Sequence, residues 1–420
     1  MSLKKLIRRS LFLFLIIHIM GCSDSYLKKD SLANKKILLR SSWQTINIGD
    51  IAHTPGVLAL CEKYLPNTEV VLWASNVGNG VEEMLKKRFP NLQIISSSDT
   101  LALNAAFQDC DFLLHGSGPY LVADKDVERW IKETGKPFGI YGITLPEESL
   151  NNRIIEILNR SKFVFFRDTV SLELAKSNGV NAPIMEFGPD GAFACDVRND
   201  SLAIKYLQES DLQEGKFLCV IPKYRRTPKW TVPNSNYPYD KEIDAHNQAM
   251  KEHDLKPFRD AITAVVRQTD MKILICPEDV TQMALGKEML YDLLPEDVKA
   301  NVVLREKFWL TDEALSVYVR SAGYFGVEQH TPIMYIGNGL PALLGRFEEQ
   351  TSKGYMWYNI GLGDWFFDLD TPEQMKNLTP TVLDLANESV RMTEKALNAK
   401  LFVEKTQSRT MQILKNNLVD

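Results

Sequence analysis

From residue 36 onward, short apolar runs alternate with stretches in which apolar residues recur every three or four positions. The runs Lys36–Arg40, Glu69–Ala74, Leu92–Ser96, Asp111–Leu114, Pro137–Ile143, Lys162–Phe166 and Ile184–Phe187 are rich in Val, Ile, Leu and Phe. Each predicts a parallel strand covered on both faces. Helical patterns between them cover Pro55–Tyr64, Val81–Phe89, Asp124–Thr134, Ser149–Asn159 and Thr169–Ser177. This alternation predicts a doubly wound parallel sheet.

A second series follows the polar stretch Asp196–Gly215. Its strands fall at Phe217–Ile221, Lys272–Cys276, Asn301–Leu304, Tyr324–Val327 and Ala342–Leu344. Its helices fall at Asp244–Gln268, Met283–Leu294, Asp312–Arg320 and Pro332–Ile336. A last helical pattern, Glu388–Asn417, is long enough to cross back over both domains. The expected architecture is therefore α/β: two doubly wound, Rossmann-like domains at 36–200 and 201–385 facing a cleft, then a C-terminal helix in 386–420. Open sheets of this kind bind ligands at the carboxyl ends of their strands, so the chemistry belongs in the loops after strands.

Residues 1–22 follow another pattern. Lys4, Lys5, Arg8 and Arg9 precede the apolar run Leu11–Met20, which is short for a membrane span and suits the apolar core of an export signal. The run ends in Ile19-Met20-Gly21-Cys22, which resembles the lipobox of bacterial lipoproteins. This predicts lipidation at Cys22, a tether over 23–35 and an exported, membrane-anchored protein on the periplasmic or cell-surface side. An uncleaved anchor and a non-lipidated signal are the alternatives.

With 420 residues, 45% hydrophobic and 25% charged, the chain has apolar material for two cores and a globular balance. A net charge of −5 excludes a general nucleic-acid binder, so any attraction for anions must be local. Beyond Cys22, the cysteines Cys61, Cys110, Cys195, Cys219 and Cys276 lie in apolar contexts without metal-ligand spacing. They read as buried free thiols, with one disulfide left open.

Several loops after strands carry candidate chemistry. Asn47-Ile48-Gly49-Asp50 follows the first strand, and Thr54-Pro55 then reads as a helix cap with proline at the first helical position. Asp50 is suited to accept a hydrogen bond from a hydroxyl or take its proton, or only to cap the turn. His115-Gly116-Ser117-Gly118 follows another strand, where two glycines would let a ligand approach and His115 would face the cleft. Arg167-Asp168 offers an anion-binding arginine, or a pair that holds its own loop. Lys223, Arg225 and Arg226 are the densest local positive charge of the mature chain, and Trp230 beside them is suited to stack on a sugar. Glu328-Gln329-His330 joins a strand to a helix start, an anion-attracting position that makes His330 the leading acid–base candidate.

Taken together, these loops resemble the polysaccharide pyruvyl transferase family. The resemblance is carried by Asn47-Ile48-Gly49-Asp50, Arg167-Asp168 with Ser171 and Gly179, and Pro189-Asp190 with Ala192-Phe193. His330 with Ile333, Gly339-Leu340-Pro341 and Asp364-Trp365 complete it, in that order along the chain. It implies a fold like the two-domain glycosyltransferases (GT-B-like) and transfer of a pyruvyl ketal group from phosphoenolpyruvate to sugar hydroxyls. It implies no metal and no cofactor beyond that donor, with a glycan or small sugar of the envelope or an exported polymer as acceptor. By the same resemblance His330 contacts the donor phosphate or acts as acid, while Lys223, Arg225 and Arg226 hold the donor carboxylate and phosphate. Asp50, with Asn47 and Gly49, serves the acceptor side.

Three departures accompany it. Many relatives have arginine where this chain has Glu328, and a triple-glycine turn where it has His115-Gly116-Ser117-Gly118. The donor is also a cytoplasmic metabolite, whereas the leader points outward. A second reading of another class is thus an exported glycan-binding or repurposed lipoprotein that keeps the fold without pyruvyl transfer.

Overall fold

The computed structural model describes residues 35–419. The expected signal, Cys22 and nearly all of the tether lie outside these residues. Two wholly parallel sheets organise the rest. The first contains β1 (Lys36–Ser41), β2 (Glu69–Ala74), β3 (Gln93–Ser96), β4 (Phe112–His115), β5 (Phe138–Ile143), β6 (Val164–Phe166) and β7 (Met185–Phe187). Its spatial order is β3-β2-β1-β4-β5-β6-β7. Leu38 in β1 pairs with Val71 on one side and Leu113 on the other, all three buried, which is why these strands read as unbroken apolar runs.

The second sheet contains β8 (Phe217–Ile221), β9 (Lys272–Ile275), β10 (Val302–Leu304), β11 (Gly323–Gly326), β12 (Ala342–Arg346) and β13 (Phe366–Asp368). Its order, β10-β9-β8-β11-β12-β13, repeats the arrangement of the first. In each sheet the winding reverses beside the first strand, between β1 and β4 and between β8 and β11. The loops leaving those strands open a crevice at both reversal points, and the two crevices face each other.

The helix after β1 corrects the sequence reading. It runs Ile48–Tyr64, with Pro55 in its interior rather than at its start. Asn47 is the cap: its backbone is extended, and its Oδ1 accepts from the amides of Gly49 (2.8 Å) and Asp50 (3.0 Å). Proline is tolerated there because packing overrides propensity. A Cβ on Gly56 would lie 1.9 Å from the carbonyl oxygen of Gly191, so helix and turn meet backbone to backbone. On the far side of the same turn, Gly191–Ala194, a Cβ on Gly337 would lie 2.0 Å from the carbonyl oxygen of Phe193. The turn is thus held between helix Ile48–Tyr64 of the first half and helix Thr331–Gly337 of the second.

One apolar cluster runs without a break from Ile37 and Leu39 through Phe193 to Leu218 and Val220, so the halves share a core. The last helix, Ser389–Val419, straps both. Its Leu397 packs at Gly339, while Thr410 hydrogen-bonds Tyr141 at 3.1 Å and Arg409 pairs with Glu186 at 2.6 Å. All five cysteines among the described residues are buried and free.

Candidate functional site

A cleft of about 880 Å³ lies between the two reversal points. Trp43, Asn47 and Asp50 line it from the loop and helix start after β1, and Tyr120 from the loop after β4. The opposite wall comes from Lys223 after β8, Glu328, Gln329 and His330 after β11, and Lys353 after β12. The loop 227–237, with Tyr237, closes one side. Close to the floor the halves are stitched together: the Ile48 amide donates to the carbonyl of Glu278 (2.9 Å) and the Val280 amide to that of Ile46 (3.1 Å).

The floor is a set of imidazoles and carboxylates. His330 Nδ1 is 3.2 Å from Glu278 Oε1, and its Nε2 is 3.4 Å from Asp50 Oδ1. His53, wholly buried one helical turn beyond Asp50, sets its Nδ1 2.8 Å from Asp190 Oδ1 and its Nε2 3.7 Å from Asp50 Oδ1. The two rings meet edge to face with centroids 4.9 Å apart. Gly49 makes this approach feasible, because a Cβ there would lie 2.1 Å from His330 Cβ.

Each charge has a physical cause. Burial would push the Asp50 carboxyl up, but the adjoining His330 and His53 rings and the Gln44 amide hold it well below the usual carboxylate range. Burial likewise opposes charge on His53, yet Asp190 and Asp50 outweigh it and raise its pKa. His330 goes the other way: burial, and then the neighbouring Lys353, press it well below the ordinary histidine value, leaving a neutral ring.

The anion-attracting helix start beside His330 is already filled. Glu278 Oε2 accepts from both the amide and the hydroxyl of Thr331, each at 2.7 Å, so this carboxylate caps the helix. Arg167 departs from both sequence readings. Its guanidinium is buried, bonded to Asp190 Oδ2 (2.7 Å) and Thr144 Oγ1 (2.7 Å), while Asp168 caps the next helix at the Ser171 amide (2.8 Å). Arg167 therefore braces the carboxylate that orients His53 and does not reach the cleft wall.

The expected basic cluster divides. Lys223 reaches the cleft, but its Nζ is 2.6 Å from Glu328 Oε1. Arg225 lines the cleft as well, but it is paired with Asp254 (2.8 Å), Glu349 (3.0 Å) and Asp370 (2.5 Å), so its charge is largely spent within the protein. Arg226 is exposed and is not among the residues lining the cleft; Asn247 holds its backbone at both the amide (3.1 Å) and the carbonyl (2.7 Å). Trp230 packs edge-on against Tyr239 rather than lining the cleft.

His115 and Gly116 also leave the site. His115 is wholly buried 5.0 Å from the Trp43 ring, its Nε2 accepts from the Ala123 amide (3.3 Å), and burial pushes its pKa down to about 3. Gly116 faces Ser41 instead of the cleft, since a Cβ there would lie 2.9 Å from Ser41 Oγ.

Sequence reasoning missed Lys353, Glu278, His53 and the role of Asp190. Lys353 is 4% exposed, and no ion-pair partner holds its ammonium among the described residues. Burial and the nearby Arg167 bring its pKa down to about 7, against the pull of Asp190, Glu278 and Asp50. A cation of this kind is available to a ligand anion, or able to give up its proton near neutrality. Gln329 adds a buried amide nitrogen without a hydrogen-bond partner.

With this geometry in view, the family model for polysaccharide pyruvyl transferase matches residues 47–326, from the Asn47 cap through β11. The chain belongs to the polysaccharide pyruvyl transferase family. Within that family the two-domain cleft agrees with the sequence expectation of a GT-B-like fold, and structural comparison supports it. The UDP-GlcNAc 2-epimerase of Neisseria meningitidis bound to UDP-GlcNAc is 10% identical with a TM-score of 0.54, covering 91% of this chain and 100% of its own. Anabaena HepE in complex with UDP and glucose is 11% identical with a TM-score of 0.53, covering 91% and 99%. The MnaA–UDP structure from S. aureus is 12% identical with a TM-score of 0.53, covering 87% and 92%. At these identities the likeness is one of fold. No curated protein matches the sequence.

Proposed function

We propose that this family member transfers a pyruvyl group from phosphoenolpyruvate to a pair of sugar hydroxyls on an envelope or exported glycan. The observation that carries the reading is the convergence of Asp50, His330 and Lys353 in one interdomain cleft. In the overall step the donor's methylene carbon gains a proton and its central carbon bonds to two sugar oxygens. The bond to phosphate breaks, and the second hydroxyl proton leaves with inorganic phosphate.

Lys353, with a pKa of about 7, supplies the proton or holds the donor's carboxylate and phosphate; Gln329 adds a neutral donor beside it. His330 is neutral, with Nδ1 donating to Glu278, so its Nε2 is the acceptor that takes a hydroxyl proton. Asp50, held ionised, orients that hydroxyl. This reverses the acid role that the resemblance implied for His330. The cleft's size and its exposed Tyr120 and Tyr237 suit a sugar ring with one apolar face. We place the protein on the exported side of the membrane, anchored through lipid on Cys22.

The test is phosphate release from phosphoenolpyruvate by a chain lacking residues 1–22, over a panel of glycan acceptors, with the product mass checked for one pyruvyl group. Release that depends on acceptor and is abolished by Lys353→Met supports the proposal. The Lys223–Glu328 pair favours one second reading, because it neutralises a cation that a doubly charged donor would use. Absence of release across the panel together with saturable glycan binding would select the glycan-binding protein instead. Incorporation of labelled palmitate, lost in Cys22→Ala, tests the anchor.

A further inference from the structure

The floor of the cleft holds two imidazoles set in the same way. His53 Nδ1 and His330 Nδ1 each face a buried carboxylate, at 2.8 Å from Asp190 Oδ1 and 3.2 Å from Glu278 Oε1. Carboxylate oxygens accept, so both rings donate from Nδ1 and turn Nε2 the other way. Both Nε2 atoms are buried and lack a hydrogen-bond partner. Both face the same oxygen, Asp50 Oδ1, at 3.7 Å and 3.4 Å. The other oxygen of that carboxylate is taken by Gln44 Nε2 at 2.7 Å.

These separations are long for direct hydrogen bonds. They are the separations of atoms that share an ion: ligands at about 2.1 Å in a tetrahedral arrangement lie about 3.4 Å apart. All three ligand atoms lie within 4.8 Å of one another. A carboxylate behind each histidine is the arrangement that fixes the ring's orientation and strengthens it as a ligand. Asp50, Asp190 and Glu278 also set three carboxylates around this point against Arg167 and Lys353, which favours a dipositive guest.

We propose that Asp50, His53 and His330 bind a divalent transition-metal cation of the zinc, manganese or iron(II) class. Two histidines and one carboxylate leave coordination positions open, and His330 and Asp50 both line the cleft, so those positions face the ligand there. A sugar hydroxyl or a donor oxygen fills them. The metal site stands on the geometry alone; only the identity of that oxygen rests on the pyruvyl-transfer reading. It departs from the sequence expectation of a metal-independent site, and it makes the ion rather than His330 Nε2 the partner of the incoming hydroxyl.

Full-length protein in detergent, stripped with a chelator, is titrated with zinc and manganese by calorimetry and with cobalt(II) by visible absorption. The expected result is one equivalent bound by the intact protein, with a cobalt spectrum of low coordination number. Asp50→Asn and His330→Gln, on the cleft floor and checked for folding by circular dichroism, should each weaken binding at least about tenfold, as should Glu278→Gln behind His330. Asp260→Asn, at an exposed position of helix Lys241–Gln268 that does not line the cleft, should bind as wild type. Failure of all three cations to bind saturably, or unchanged affinity in folded Asp50→Asn and His330→Gln, overturns the site. Full phosphate release by metal-free protein overturns the ion's role toward the incoming hydroxyl and leaves the transferase reading standing. One bound equivalent without phosphate release on any acceptor does the reverse.

Discussion

Lys223 Nζ lies 2.6 Å from Glu328 Oε1, so the lysine that meets the cleft at the end of β8 is neutralised from the end of β11. Glu328 therefore does not repel a ligand anion by itself; it withdraws the lysine opposite. Burial and the nearby Glu278 raise the Glu328 carboxyl, while Lys223 opposes that rise.

Replacing Glu328 by glutamine should release the Lys223 charge while keeping an oxygen for it to donate to. Glu328→Gln is expected to tighten binding of inorganic phosphate about tenfold, the worth of one charge-assisted hydrogen bond. The gain should shrink at high salt, as read by calorimetry at two ionic strengths. Lys223→Met strands a buried carboxylate and should cost about 3–5 kcal/mol in urea unfolding.

Lys353 gives the site a pH dependence of defined sign. Its folded pKa of about 7 lies below the ordinary 10.5, so between these values the unfolded chain holds a proton that the folded chain has lost. Stability gained from this group therefore rises with pH through that window, and its penalty is full below it. Lys353→Met should raise the melting temperature more at pH 6 than at pH 9. Anion affinity should run oppositely, falling in wild type as pH rises above about 7 and staying flat in the variant.

The arginines should separate by mutation. Arg167→Met removes the guanidinium from Asp190 Oδ2 and leaves His53 as the one remaining side-chain partner of that buried carboxylate; it is expected to lose about 3 kcal/mol of stability in chemical denaturation. Arg225→Ala, breaking contacts to three acids, should also lower the unfolding midpoint, whereas Arg226→Ala should stay within about 0.5 kcal/mol of wild type. If Arg226→Ala weakens phosphate binding tenfold at unchanged stability, the division of the basic cluster fails.

Gly49→Ala tests whether the floor depends on close approach. With its Cβ 2.1 Å from that of His330, the alanine must displace the histidine ring or the helix start. Overpacking of this kind costs about 1–3 kcal/mol. The expected outcome is a folded, less stable protein with a shifted His330 resonance and no transferase turnover, followed by imidazole NMR and thermal melts.

The architecture was legible because the periodic signals were strong: apolar runs in β1, β5 and β8 allow only doubly covered strands, and their alternation with helices fixes the winding. Neither β13 nor the helix Thr100–Asp109 was among the predicted elements. Within the site, Asp50, Lys223, Glu328 and His330 could be found by the rule that ligands bind where strands end. His53 was lost through one turn of misreading: once Pro55 is taken as the helix start, His53 becomes a loop residue. Had Asn47 been recognised as the cap, Asp50 and His53 would have fallen at i and i+3 on one helix face. Lys353 lies in the loop after β12, but in sequence it looks like any surface lysine. Only the tertiary fold buries it, and only the fold reveals that Arg225 and Arg167 are spent on partners distant in the chain, Asp370 and Asp190.

The turn Gly191–Ala194 is seated against Gly56 on one side and Gly337 on the other, with no side chain between the backbones. At such a joint, rotating one half against the other would press peptide against peptide. Two-domain enzymes that open like jaws need a compliant seam, and here the halves are joined at the glycines, at the Glu278–Ile48 stitch and by the Ser389–Val419 strap. Substrate exchange is then expected at the rim, where Tyr120 and Tyr237 stand half out of the surface, so turnover should follow the mobility of the two loops that carry them rather than the swing of a domain.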